Sequence, residues 1–178
     1  MNSYNSCVLW FTGLSGAGKS TLAHTIEEEL YQLGFRTFVL DADNVRQDIC
    51  SDLDFSVIDR RQNIRCIAET VKLMVEAGLI VITAFISLFR DERDRACNLL
   101  AEEDFVEIYC AAPLEVCESS DVRGLYVRVR AGEVKEFTGI SSPYEPPLNP
   151  ELIVDTQMPL QHCVEQVIKI LCGRGLQN

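Results

Sequence analysis

Cys7-Val8-Leu9-Trp10-Phe11-Thr12-Gly13-Leu14-Ser15-Gly16-Ala17-Gly18-Lys19-Ser20-Thr21-Leu22-Ala23-His24-Thr25-Ile26 is the stretch on which the fold turns. Residues 7–12 form a short apolar run of strand type. Residues 13–20 match G-x-x-x-x-G-K-[ST], a phosphate-binding loop. Its glycines let successive backbone N–H groups turn inward onto phosphate oxygens. A helix is predicted over 19–33, with Gly34 ending it. The N-terminus of that helix adds the positive end of its dipole. Lys19 can reach the β- and γ-phosphates, and Ser20 can offer a hydroxyl to Mg²⁺. The bland alternative is a glycine-rich turn with an incidental lysine. A strand before it and a helix after it argue against that alternative.

Outward from the loop, Phe35-Arg36-Thr37-Phe38-Val39-Leu40 predicts a second strand. It delivers Asp41-Ala42-Asp43-Asn44 at the carboxyl end, the edge where open α/β sheets bind ligands. Acids at i and i+2 point to one side of an extended backbone. One can face metal and phosphate while the other supports it; a solvated turn is the alternative. A helix is expected from Ile58 to Glu76, closed by Gly78. Arg60 and Arg65 near its start conflict with the helix dipole unless an anion binds there. Leu79 to Ile86 is the most apolar run and predicts a central parallel strand, followed by Ser87. A Walker-B strand would end in Asp, and this one does not, so Asp41 and Asp43 are the available metal-side acids. No N-K-x-D guanine motif is present, which disfavours a GTPase.

A charged helix is expected over 91–103, a fourth strand over 105–110 and another helix opened by Ala112-Pro113. Arg123, Arg128, Arg130 and Lys135, set around Gly124 and Gly132, suggest a basic lid over phosphates, about residues 118–137. A loop follows over 137–147, whose Phe137 and Tyr144 suit either a base or the core. A fifth strand (151–155) and a closing helix (159–172) complete the chain. The expected architecture is a three-layer α/β fold of the P-loop NTPase type. It has a five-stranded parallel sheet, helices on both faces and a basic lid, in one domain spanning 1–178.

The net charge of −11 disfavours nucleic acid as a partner. No apolar run reaches membrane-spanning length, so a cytoplasmic protein is the expectation. The eight cysteines form no C-x-x-C pair and read mostly as small core residues.

These features describe a P-loop kinase of a small molecule, and the remaining motifs narrow it. The phosphate loop resembles adenylylsulfate (APS) kinase when taken with Leu40-Asp41-Ala42-Asp43-Asn44-Val45-Arg46, Asp59-Arg60, Asn63-Ile64-Arg65 and Ile82-Thr83-Ala84-Phe85-Ile86-Ser87. Gly124-Leu125-Tyr126, Arg130-Ala131-Gly132-Glu133-Val134-Lys135 and Phe137-Thr138-Gly139-Ile140 extend the resemblance, which runs from about Val8 to Asp155. It implies phosphorylation of the 3′-hydroxyl of adenosine 5′-phosphosulfate by Mg²⁺-ATP in a homodimeric enzyme. It implies ATP contacts from Gly13, Leu14, Ser15, Gly16, Ala17, Gly18, Lys19, Ser20, Thr21, Arg123 and Arg130. Asp43 would accept the hydroxyl proton and, with Ser20, hold the metal; Asp41 would support it. Arg46, Arg60 and Asn63 would hold the phosphosulfate. Phe55 and Phe137 would sandwich the acceptor adenine, with Ile86, Ser87 and Lys135 lining the same pocket. Ser87 also matches the family's phosphoserine position, although an in-line transfer asks of it no more than a hydrogen bond near the substrate.

The chain departs from the pattern at Ala42 (usually Gly), Cys66 (usually Arg), Leu88 (usually Pro) and Ser120 (usually Arg). These keep two alternatives open: a kinase of another small acceptor, and a weakly active nucleotide-binding relative.

Overall fold

The computed structural model describes residues 6–42, 45, 49, 51–53, 56–121, 124–134 and 136–175. Five strands, β1 (Cys7–Thr12), β2 (Thr37–Asp41), β3 (Ile80–Ala84), β4 (Phe105–Ala111) and β5 (Leu152–Asp155), form one parallel sheet in the order β2-β3-β1-β4-β5. The helices are α1 (Lys19–Gln32), α2 (Val57–Glu76), α3 (Arg90–Cys97), α4 (Leu114–Ser119), α5 (Leu125–Arg130) and α6 (Leu160–Gly173).

β1 is central, and its strand alternation divides the core in two. Leu9 and Phe11 point to one face, against Leu22, Ile26 and Leu30 of α1 and Val164, Val167 and Leu171 of α6. Val8 and Trp10 point to the other, against Ile64, Ile67, Val71 and Val75 of α2 and Ala96 of α3. The i, i+3, i+4 spacing on each helix supplies these faces. Burying each large aliphatic side chain contributes about 1.5–3 kcal/mol. The expected three-layer α/β architecture is thus the observed one.

Several boundaries shift by a residue from the sequence reading, and three differ by more and bear on the site. β2 begins at Thr37 rather than Phe35, because Gly34 (φ 86°) and the Phe35 N–H bond to Leu30 O spend those residues on the turn out of α1. β3 stops at Ala84, and 85–89 are irregular. The helix expected over 91–103 ends at Cys97, and a 3-10 turn (Glu102–Asp104) leads into β4.

Register sets the site. Asp41 lies level with Ala84, Ala84 with Phe11, and Phe11 with Ile108. The loops after β1, β2, β3 and β4 therefore leave the sheet along one carboxyl edge, where such sheets bind ligands.

Candidate active site

The phosphate loop bridges β1 and α1. Gly13, Gly16 and Gly18 have φ of 151°, 77° and 78°. A Cβ at Gly16 would lie 2.6 Å from Cys117 O, and one at Gly13 would lie 2.7 Å from Cys110 O. The loop is thus wrapped against the ends of β4 and α4 so closely that only glycine fits. Lys19 opens α1 but folds back, donating from Nζ to Gly13 O (2.9 Å) and Leu14 O (2.6 Å). It is buried and has no ion pair among the described residues. Burial holds its ammonium down to about 8, slightly offset by Cys110 and Cys117. A buried cation held on the carbonyls of a glycine loop, with no carboxylate partner among the described residues, is a cradle built for an anion. Ser20 is exposed beside it. Its hydroxyl is the hard oxygen donor that Mg²⁺ prefers, with phosphate and water completing the shell.

The loop after β3 forms the second wall. Ser87 adopts φ 42°, a left-handed conformation unusual for a residue with a side chain, and it is only 2% exposed. Trp10 Nε1 donates to Ser87 Oγ (3.3 Å). Thr12 Oγ1, one residue before the phosphate loop, donates to Ile86 O (2.7 Å) and bonds Tyr144 Oη (3.0 Å). Arg93, also 2% exposed, pins the turn from below. It donates to Ser87 O (2.5 Å), Glu145 O (2.7 Å) and Glu107 Oε1 (2.7 Å). Leu88 O accepts from Glu145 N (2.9 Å), so the Leu88 turn is held firmly rather than loosened by the missing proline.

The third wall comes from α2 and the segment after α5. Arg60 donates to Glu136 O (2.8 Å) and Thr138 Oγ1 (3.3 Å). Asn63 is buried three residues along, with Oδ1 unpartnered. Phe137 is buried edge-on against Tyr126, ring centroids 5.0 Å apart. Arg65, the other cation at this helix start, lies exposed on Gln62 Oε1 (3.1 Å).

Among the remaining expected site residues, Asp41 ends β2 with His24 Nε2 4.0 Å away. Thr21 continues the first turn of α1 and accepts from Thr25 through its carbonyl. Arg130 faces outward and is ion-paired with Glu118. Asp43, Arg46, Phe55, Arg123 and Lys135 lie outside the described residues. Ala42, where the family pattern usually has Gly, does not adopt a positive φ, since Ser87 and Glu136 are the non-glycine residues with positive φ among those described. Ser120 caps the end of α4, and Cys66 accepts weakly from Gln62 Nε2 (3.7 Å).

Sequence reasoning missed Arg93, Tyr144 as a partner of Thr12, and Asp121. Asp121 carboxylate oxygens accept from Leu125 N (2.9 Å) and Tyr126 N (2.6 Å), capping α5. A readable signal existed for Asp121 alone: an acid just before a helix that Gly124 opens.

A family model described as adenylylsulphate kinase matches residues 5–155. An adenylyl-sulfate kinase of Acaryochloris marina is 58% identical over 176 residues, covering 98% of this chain and 86% of that protein. One from Prochlorococcus marinus is 54% identical over 174 residues, covering 97% and 87%. Among solved structures, the Mycobacterium tuberculosis APS kinase CysC in complex with AMPPNP and APS superposes with a TM-score of 0.90 at 39% identity, covering 94% of this chain and 98% of that one.

Proposed function

The chain belongs to the adenylylsulphate kinase family, and we propose that it transfers the γ-phosphate of ATP to the 3′-hydroxyl of adenosine 5′-phosphosulfate (APS). The products are ADP and 3′-phosphoadenosine 5′-phosphosulfate (PAPS). The observation that carries this reading is Lys19, a buried cation held in a glycine cradle by backbone carbonyls among the described residues. It supplies a donor-phosphate site directly beside an acceptor wall.

On the donor side, residues 13–21 bind the ATP phosphates. Incoming oxygens take over the Lys19 donors from Gly13 O and Leu14 O. Mg²⁺, held by Ser20 and Asp43 together with the phosphates, supplies charge neutralisation when bound. Residues 118–137 act as the lid and bring Arg123 and Arg130 toward the nucleotide.

On the acceptor side, Phe137 and Phe55 stack on the adenine, and Ile86 and Lys135 line the pocket. Arg46, Arg60 and Asn63 hold the phosphosulfate. A half-turn of the buried Asn63 amide presents an N–H in place of its unpartnered oxygen, which suits an anionic ligand. Asp43 accepts the 3′-hydroxyl proton, supported by Asp41, while the hydroxyl oxygen attacks in line. Ser87 shapes the turn rather than carrying a phosphoryl group: its hydroxyl is buried and already bonded by Trp10.

The reading includes one domain over the chain, a homodimer and a cytoplasmic location, where ATP is supplied. No helix among the described residues is long and apolar enough to cross a membrane. The test is a coupled assay with ATP, Mg²⁺ and APS. PAPS should form, and turnover no greater than that of Lys19→Ala would refute the proposal.

A further inference from the structure

The donor and acceptor sides meet through one aromatic side chain. Tyr126, on the first turn of α5 and 3% exposed, donates from its hydroxyl to Ser15 O inside the phosphate loop (2.8 Å). The other end of the same side chain is the ring that meets Phe137 edge-to-face. Asp121 fixes the backbone beneath it by accepting from the Tyr126 N–H. A second contact runs in parallel. Gly139, two residues past Phe137, has φ 90°, and a Cβ there would sit 2.8 Å from Leu14 Cδ2 in the phosphate loop. Segment 137–139 therefore rests on residues 14–15, with Tyr126 as the hydrogen-bonded strut.

We infer that Tyr126 is a positioning residue that couples the two nucleotide sites: ordering of the phosphate loop by ATP sets the Tyr126 ring, which sets Phe137 against the acceptor base. The inference rests on the assignment of Phe137 to the APS pocket. A buried ring cannot shift without repacking, so it transmits position rather than absorbing it. The hydroxyl is a link between this ring and the loop backbone that the loss of one atom removes, and the ring itself stays to support Phe137.

The measurement is the Kd for APS with and without a saturating β,γ-imido ATP analogue and Mg²⁺. In the wild type, the analogue should tighten APS binding at least about fivefold, the lower range of coupling between sites. In Tyr126→Phe the ratio should collapse toward unity, with APS affinity in the absence of analogue little changed. Leu73→Ala, at an exposed position on α2 away from this segment, should keep the wild-type ratio. A purely structural role for Tyr126 would lower the melting temperature and leave the ratio intact, and that result overturns the inference. So does a wild type without coupling. A wild type that binds the analogue but no APS overturns the APS assignment as well, which separates the two failures.

Discussion

Lys19→Met in the nucleotide-free protein makes a test of how the phosphate loop is built. Burial takes the Lys19 ammonium from its ordinary 10.5 down to about 8. At pH 7 the lysine is charged in both folded and unfolded chains. The folded state therefore carries the full cost, about 3 kcal/mol from 1.36 kcal/mol for each pH unit of lowering. Methionine removes that cost but leaves Gly13 O and Leu14 O without their donor, about 1 kcal/mol each. The net is a variant more stable by about 1 kcal/mol at pH 7, or about 2–4 °C in Tm for a chain of this size. The pH dependence is the sharper quantity. A base whose value is depressed on folding binds fewer protons folded than unfolded between about 8 and 10.5, so wild-type stability recovers as pH rises through that window. By about pH 9.5 the lysine costs only about 1 kcal/mol, and the variant should fall level with or slightly below the wild type. Calorimetric melting of both proteins at the two pH values gives the difference directly, since other titrating groups are common to both. A Tm gap that stays constant from pH 7 to about 9.5 would refute the account of Lys19 as a cation whose charge burial disfavours.

Gly16→Ala places a Cβ 2.6 Å from Cys117 O at φ 77°. ATP affinity should drop by at least about tenfold, some 1.4 kcal/mol, in a fluorescence titration, and wild-type affinity would mean the loop is not the phosphate site. Ser87→Ala should retain kcat within about tenfold of wild type, because the hydroxyl supports a turn rather than the chemistry; a folded but inactive variant contradicts this. Asp43→Asn should lower kcat by about 10²-fold or more while ATP binding shifts only a few-fold. Equal losses in kcat and ATP affinity would remove Asp43 from the base role.

The parts of this molecule visible in the sequence are those written locally. Gly13 to Ser20 carry their own backbone requirements, and β1 and α1 follow from apolar spacing on either side. The shared edge for Asp41, the phosphate loop and Ser87 follows from strand–helix alternation alone. Arg93 was invisible for a physical reason. It sits in Arg90-Asp91-Glu92-Arg93-Asp94-Arg95, a run that reads as a solvated face, yet its guanidinium is buried on Glu107, the nearby Ser87 carbonyl and the distant Glu145 carbonyl. Periodicity cannot single out one arginine among three when the partner acid lies on another strand. Tyr144 illustrates the same limit. In its loop it suited a base or the core equally, and only the fold shows it bonded to Thr12 and stacked on Tyr109. The early stop of α3 at Cys97 was hidden because Asn98-Leu99-Leu100-Ala101-Glu102-Glu103 contains no Gly or Pro to mark an end.

Arg93 also bears on the order in which the molecule comes together. Its three acceptors lie 6, 14 and 52 positions away along the chain. Closing the longest of these loops costs chain entropy that only an assembled scaffold repays. The Glu145 clasp needs the segment around residue 145 brought back to α3 and to Leu88, whose carbonyl accepts from the Glu145 N–H. The phosphate loop, by contrast, is closed by contacts five and six residues apart. The internal hydrogen bonds of the donor loop are thus local to β1 and α1, while its outer wall waits for Cys110 of β4 and Cys117 of α4. A chain cut before β4 would therefore hold the loop sequence without the Cys110 and Cys117 walls that it rests on and without the Arg93 clasp.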